Sequence, residues 1–367
     1  MENLEINNLF GGIYKGRKVL VTGHTGFKGS WLIYWLHKLS AELFGLSLDS
    51  PTSPNHISLL NFPHVSYIQD INDKEKVFEI LQKVNPDIIF HLAAQPLVIA
   101  SYENPYYTYD TNIMGLINLF EIIRKVDFVK SVVIITSDKC YKIKDAKNNY
   151  SESDELGGFD PYSSSKSCAE IISASYTYSF LKSKNINIAT ARAGNVIGGG
   201  DWAENRLIPD CIKSLNNKTK IIIRKPDSVR PWQFILEPIS GYLLLGQKIS
   251  ENADNSFSSW NFGPSYLPEN VINIVRKITR LWGAKENIEL QESDSRFFET
   301  DYLYLNIDNA KKYLNWEPVY NLRNALDKTV VWYKKVYGRE KDVYNLCKSQ
   351  IIEYTATAKN KKIFWAQ

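Results

Sequence analysis

From Lys18 onward, short apolar runs alternate with stretches whose apolar residues recur at helical spacing. The runs read "KVLVTG", "LFGLSLD", "PDIIFHLAA", "SVVIITS" and "INIATARAGNVIG", and helices are predicted from Gly29 to Leu39, near 110–125 and from about 162 to 182. Strands that are apolar along their whole length are covered on both faces, and their alternation with helices implies right-handed βαβ crossovers. The pattern predicts an α/β fold with a doubly wound (Rossmann), mostly parallel sheet.

Past about residue 195 the alternation loosens into turn-rich "GGGDWAENR" and "RKPDSVRPWQ". Residues 1–193 are therefore assigned to the Rossmann domain and 194–367 mainly to a smaller C-terminal substrate-binding lobe, with "SSWNFGP" (258–264) expected to return to the sheet as a strand. No internal repeat or low-complexity linker is visible.

Composition narrows the class. With 44% hydrophobic and 23% charged residues the chain is ordinary globular protein, and a net charge of +4 is too small to call for nucleic acid. Cys140, Cys168, Cys211 and Cys347 lie far apart with no Cys-x-x-Cys, against a zinc site or a disulfide framework and in favour of a reducing cytoplasm. The opening "MENLEINNLFGG" lacks the basic and apolar regions of a signal peptide, and no apolar run approaches the roughly 20 residues of a membrane span, so a cytoplasmic, membrane-free protein is expected.

Candidate chemistry begins in "VTGHTGFKG". Gly23, Gly26 and Gly29 sit where a strand gives way to a helix, a spacing that allows a tight turn and close backbone approach, with free helical N–H groups facing a pyrophosphate. Asp49 ends the next strand 20 residues beyond Gly29, at the distance expected for a carboxylate on the adenosine ribose. A carboxylate there repels a 2′-phosphate, which favours NAD over NADP. Asp70, after the following apolar segment, is a candidate for the adenine amino group, with a solvated strand end as the plainer reading.

In "PYSSSK", Tyr162 and Lys166 share one helical face, and a cation beside a phenol stabilises phenolate. The same Tyr-x-x-x-Lys spacing occurs six times in the chain, so position must decide. Only Tyr162 opens the helix that follows the "SVVIITSDKCY" strand, beside the carboxyl end of the sheet where ligands of open α/β folds bind. Asp138 and Lys139, at the end of that buried strand, must reach water or be held for chemistry, because an unpaired buried charge is costly. A solvated Asp-Lys turn is the plainer alternative. His91, inside the "IFHLAAQ" strand, reads as a satisfied core histidine, and His24 in the glycine loop has no required role.

Together "TGHTGFKGSWL", "HLAAQP", "TSDKCY", "YSSSK", "ARAGNVIGGGDW" and "RPWQ" resemble the extended short-chain dehydrogenase/reductases, among them the sugar-nucleotide 4,6-dehydratases, and are most similar to the CDP-glucose 4,6-dehydratases. The resemblance spans nearly the whole chain. It implies that Ser137, Tyr162 and Lys166 form the hydride-transfer triad and that Asp138 and Lys139 carry dehydration as acid and base, the two titrating as a unit if they share a proton. It implies CDP-D-glucose going to CDP-4-keto-6-deoxy-D-glucose plus water, by C4 oxidation, C5/C6 elimination and hydride return to C6. NAD is the one cofactor implied, and no metal. Phe27 and Ala93 join the cofactor contacts, with Tyr162 and Lys166; Gln95, Asn195, Arg206 and Arg230 are the substrate contacts, the last three toward the nucleotide diphosphate. Tyr102, Asn104 and Pro105 are candidates for the sugar pocket. A homodimer or homotetramer is implied by the family.

Phe234 stands in "RPWQFILEP" where the resemblance leads one to expect a histidine, which leaves nucleobase and sugar open. A sugar-nucleotide 4-epimerase or reductase shares the glycine loop and the Tyr162/Lys166 pair but needs no acid and base beside Ser137. A non-catalytic NAD-binding module needs none of these residues together.

Overall fold

The computed structural model describes residues 6–143, 149–251, 258–291, 302–340 and 342–367. The chain enters β1 (Lys18–Thr22), α1 (Phe27–Lys38), β2 (Glu42–Ser47), β3 (Val65–Ile68), α2 (Lys74–Val84), β4 (Ile88–His91), α3 (Val98–Glu103), α4 (Pro105–Tyr109), α5 (Gly115–Ile123), β5 (Ser131–Ile135), α6 (Pro161–Tyr176) and β6 (Asn187–Ala193). It continues through β7 (Val196–Ile197), α7 (Leu207–Asn217), β8 (Ile221–Ile223), β9 (Val229–Arg230), β10 (Gln233–Phe234), α8 (Leu236–Glu251), β11 (Ser258–Phe262), β12 (Glu269–Asn270), α9 (Val271–Trp282) and β13 (Ile288–Leu290). Helices α10 (Leu322–Tyr337) and α11 (Val343–Asn360) close it.

Seven strands form one sheet in the order β11-β6-β5-β4-β1-β2-β3, every neighbouring pair parallel, as the doubly wound pattern predicts. Side chains alternate between its faces, so consecutive apolar residues feed two cores. Val19, Val21, Val133 and Ile135 pack with α1, α8 and the C-terminal helices, whereas Leu20, Val132 and Ile134 pack with α2, α5 and α6. Two covered faces explain why the strands read as unbroken hydrophobic runs. The winding direction reverses between β1 and β4, and at such a switch point the loops beyond the strands' carboxyl ends diverge and leave a crevice.

Beyond β6, three two-stranded pairings (β7 with β10, β9 with β12, β8 with β13) and helices α7 and α9 build the smaller lobe. The second half of the chain is not one lobe. Helix α8 packs on β5 and β6, β11 extends the main sheet beside β6, and α11 closes over α1, where Tyr34 Oη donates to Tyr344 O at 2.6 Å. A third apolar layer over α1 is what buries Trp31, Tyr34 and Trp35 completely.

Candidate functional site

The glycine loop joins β1 to α1. Gly23 is left-handed (φ +71°), and a Cβ there would lie 2.7 Å from Ala93 N; a Cβ on Gly29 would lie 2.1 Å from Gly23 O. Only glycine lets these backbones approach so closely. Helix α1 starts after Gly26 with no side-chain cap, leaving its first-turn N–H groups turned to the crevice as a dinucleotide's phosphates require. Phe27 is the first residue of that turn. Thr25 Oγ1 lies 2.8 Å from Ser47 Oγ and donates to Leu48 O, tying the loop to the end of β2. Strand β2 stops at Ser47, two residues short of the sequence expectation, and Asp49 is exposed just beyond it. Asp70 Oδ1 accepts from Asn72 N at 2.9 Å and so shapes the turn into α2.

Strand β5 ends at Ile135, and Ser137 caps a single 3-10 turn, Asp138–Cys140: its Oγ accepts from Lys139 N (3.2 Å) and donates to Asp138 Oδ1 (2.9 Å). Asp138 is 3% exposed, and its Oδ2 has no hydrogen-bond partner. Burial raises its pKa against the pull of Lys139, the Ser137 bond, Lys28 and Arg230. This is a carboxyl held toward its protonated form with one oxygen free.

Helix α6 brings the rest. Asp160 caps it, accepting from Ser163 N at 2.9 Å, and Pro161 is the first helical residue, so Tyr162 stands in the opening turn. Tyr162 N donates to Ser101 Oγ of α3 (3.2 Å). Burial pushes the Tyr162 phenol up to about 12, opposed by a hydrogen bond with Ser137. One turn on, Lys166 is 7% exposed, with Nζ 3.4 Å from Ile135 O. Burial lowers it to about 8, with Glu170 and Cys140 acting the other way. Ser137, Asp138, Tyr162 and Lys166 thus converge at the carboxyl end of β5, with Lys139 beside them.

On the opposite wall Arg230 is buried, and its charge acts on Asp138. Arg206, just before α7, pairs with Asp201 (2.9 Å) while its charge reaches Tyr162 and Lys28. Asn195 links β6 to β7, its carbonyl accepting from Gln233 N at 2.9 Å.

Other sequence candidates turn inward. Gln95 is buried with both ends of its amide committed: Nε2 donates to Leu97 O and Thr108 Oγ1, and Oε1 accepts from Leu97 N at 2.6 Å. Its side chain holds its own turn instead of facing the crevice. Asn104 caps α4 by accepting from Tyr107 N, with Pro105 as its first residue, which accounts for both as helix-start residues. Phe234 is 1% exposed and packs against Tyr320 and Tyr354 (centroids 5.6 and 6.5 Å), so the departure from histidine is a core substitution. His91 Nδ1 lies 2.8 Å from Thr22 Oγ1, and burial lowers it to about 3; His24 packs on Gly45 near Ser47 and Ser66 and is lowered to about 4 by the same cause. Both are neutral structural histidines.

Sequence reasoning passed over Lys28. Burial lowers it to about 8, Arg206 and Lys166 push the same way, and Asp138 and Asp201 oppose. The signal was present: a lysine in the first turn of a helix opposes the helix dipole and asks for an anion.

Residues 20–329 match the family described as GDP-mannose 4,6 dehydratase. A CDP-glucose 4,6-dehydratase of Salmonella typhimurium is 42% identical over 349 residues, covering 93% of this chain and 97% of that protein. A UDP-glucose 4-epimerase of Mycoplasma pneumoniae is 25% identical, covering 88% and 98%. Among solved structures, a Bacillus anthracis dTDP-glucose 4,6-dehydratase in complex with NAD superposes with a TM-score of 0.74 at 22% identity, over 89% of this chain and 99% of that one.

Proposed function

The chain belongs to the GDP-mannose 4,6-dehydratase family of sugar-nucleotide enzymes, and from that membership we propose that it is an NAD-dependent hydro-lyase converting CDP-D-glucose to CDP-4-keto-6-deoxy-D-glucose and water. The observation that carries the reading is the buried Asp138 carboxyl, with an unpartnered oxygen, on the same turn as Ser137 and next to Tyr162. A 4-epimerase or a reductase has no use for an acid there.

The backbone cradle of Gly23, Gly26 and Gly29 against Ala93 fits a dinucleotide, whose further contacts in this reading are Phe27, Asp49 and Asp70, and Asp49 suits the unphosphorylated ribose of NAD. When bound, NAD would supply the hydride acceptor for C4 and the hydride donor for C6. Tyr162 removes the proton of the sugar 4-hydroxyl while Ser137 holds that oxygen. Lys166 steadies the phenolate and the cofactor ribose. The 4-ketone acidifies C5–H, so Lys139 takes that proton while Asp138 protonates the departing 6-hydroxyl, and water leaves across C5 and C6. Lys139 then returns a proton to C5. Asn195, Arg206 and Arg230 face the diphosphate, where arginine gives bidentate contacts.

Exposed apolar Met114, Ile171, Tyr178 and Phe180, around α5 and the end of α6, support a homodimer or homotetramer; a sedimentation mass of only 42.2 kDa would remove it. Among the described residues no helix is long and apolar enough to cross a membrane, and the four cysteines are unpaired, which suits the cytoplasm.

The deciding experiment is mass spectrometry after incubation with NAD and a panel of nucleotide sugars led by CDP-glucose. Loss of one water without net reduced cofactor is expected from CDP-glucose. An isomer of unchanged mass would replace this reading with epimerisation.

A further inference from the structure

Helix α6 carries a further buried ionisable residue on the Tyr162 and Lys166 face. Glu170, 1% exposed, accepts hydrogen bonds from Thr136 Oγ1, from Thr190 Oγ1 at 2.6 Å and from Arg192 Nη2 at 2.8 Å. Arg192, 3% exposed on β6, extends Nη1 to Tyr141 Oη at 2.8 Å and lies over the Tyr141 ring, 4.9 Å from its centroid. Tyr141 Oη in turn donates to Asn261 Oδ1 of β11 at 2.7 Å. Thr136 and Tyr141 flank the segment Ser137–Cys140, so both ends of that segment are tied to one buried ion pair.

Burying such a pair is a poor way to gain stability, since apolar side chains of similar volume do as well or better; what a pair hydrogen-bonded to several neighbours supplies is fixed geometry. Here the geometry is that of an acid and a base on one short 3-10 turn between β5 and α6. Tyr162 and Lys166 ride on α6 itself, whereas Asp138 and Lys139 hang on a turn.

We propose that Glu170 and Arg192 are positioning residues that hold the Ser137–Cys140 turn against the Tyr162 face of α6, so that the acid and base of elimination meet the sugar that the phenol oxidises. Neither touches the substrate. The proposal rests on the dehydratase reading above. Its consequence is uneven: loosening a tether displaces both elimination groups, Asp138 and Lys139, but of the three oxidation groups only Ser137, since Tyr162 and Lys166 stay on the helix, and a misplacement of about 1 Å costs on the order of 100-fold in rate.

Tyr141→Phe removes one tether by a single oxygen and keeps the ring beneath Arg192; Thr136→Val removes the other at constant volume. In both variants the amides of 137–141 are expected to exchange hydrogen faster than in the wild type, a measurement that needs no substrate. With the nucleotide sugar, kcat for water loss is expected to fall by about tenfold or more at a KM within twofold, while single-turnover reduction of bound nicotinamide, which depends on the turn through Ser137 alone, falls less, so that its absorbance accumulates. Unchanged amide exchange in both variants would overturn the anchor, as would equal losses in nicotinamide reduction and water loss. A wild type that releases no water from any nucleotide sugar would instead overturn the dehydratase reading, and amide exchange would still decide the anchor.

Discussion

Tyr162 and Lys166 stand one turn apart on the buried face of α6, and burial moves them in opposite directions, the phenol up to about 12 and the ammonium down to about 8. Each shift disfavours the charged form. Phenolate and ammonium formed side by side relieve both penalties, which suits the pair to the proposed role of base. Tyr162→Phe keeps the ring and deletes the oxygen, so kcat should drop by roughly 10²–10⁴-fold with little change in KM. Steady-state kinetics on CDP-glucose checks it; unchanged turnover would remove Tyr162 from the mechanism.

Lys166 should cost stability in order to serve the reaction. Its folded pKa is lowered from 10.5 to about 8, so at pH 7 it is charged in both states and the burial penalty is present in full. Between pH 8 and 10.5 the unfolded chain binds more protons than the folded one, and stability rises with pH until the penalty is gone. Lys166→Met should therefore melt at a higher temperature than wild type at pH 7, with the gap closing toward pH 10.5, while turnover is lost. Thermal unfolding across that range is the measurement; a variant that melts lower at pH 7 would show the ammonium to be net stabilising.

Asp138→Asn removes the acid while preserving the volume and the bond from Ser137. Oxidation at C4 should survive, but without a proton for the 6-hydroxyl the reduced cofactor should accumulate and water loss should fall by about 10²–10⁴-fold. Stopped-flow absorbance alongside product mass separates the steps. If water loss continued at the wild-type rate, another group would have to be the acid.

Glu237, in the first turn of α8, fastens the C-terminal segment to the core. Its carboxylate accepts from Val319 N (2.8 Å), Tyr320 N (2.7 Å) and Tyr354 Oη (2.7 Å), and burial raises it to about 7. Glu237→Ala leaves two buried amides without acceptors and should destabilise by about 3 kcal/mol or more. Denaturant unfolding reads this directly, and a loss below about 1 kcal/mol would mean that water replaces the carboxylate.

The strands and the glycine loop were legible because their signals are local. An unbroken apolar run reports two covered faces, and glycine at the end of β1 reports a left-handed residue against Ala93. Helix α6 was equally legible from "PYSSSK" and the helical spacing after it, whereas its Asp160 cap emerged only in the structure. The repeated Tyr-x-x-x-Lys spacing shows where locality stops. Tyr14 is buried and hydrogen-bonds the backbone of Leu243, and Tyr34 bonds that of Tyr344; only Tyr162 meets Ser137.

Gln95 and Phe234 mark the other limit. A glutamine beside a strand end looks free until Leu97 and Thr108 are folded against it, and a phenylalanine in a motif looks like a change of specificity until Tyr320 and Tyr354 enclose it.

By itself, then, the sequence determined the parallel α/β architecture and the dinucleotide cradle, and it nominated the residues of the candidate site, because each depends on periodicity or on neighbours within a turn or two. Tertiary structure alone decided that the oxygen of Asp138 is left without a partner, that Lys28 joins the cluster, and that Glu170 and Arg192 grip both ends of the Ser137–Cys140 segment. Those facts depend on burial and on contacts between strands far apart in the chain, and the cost of a charge is set by what surrounds it after folding.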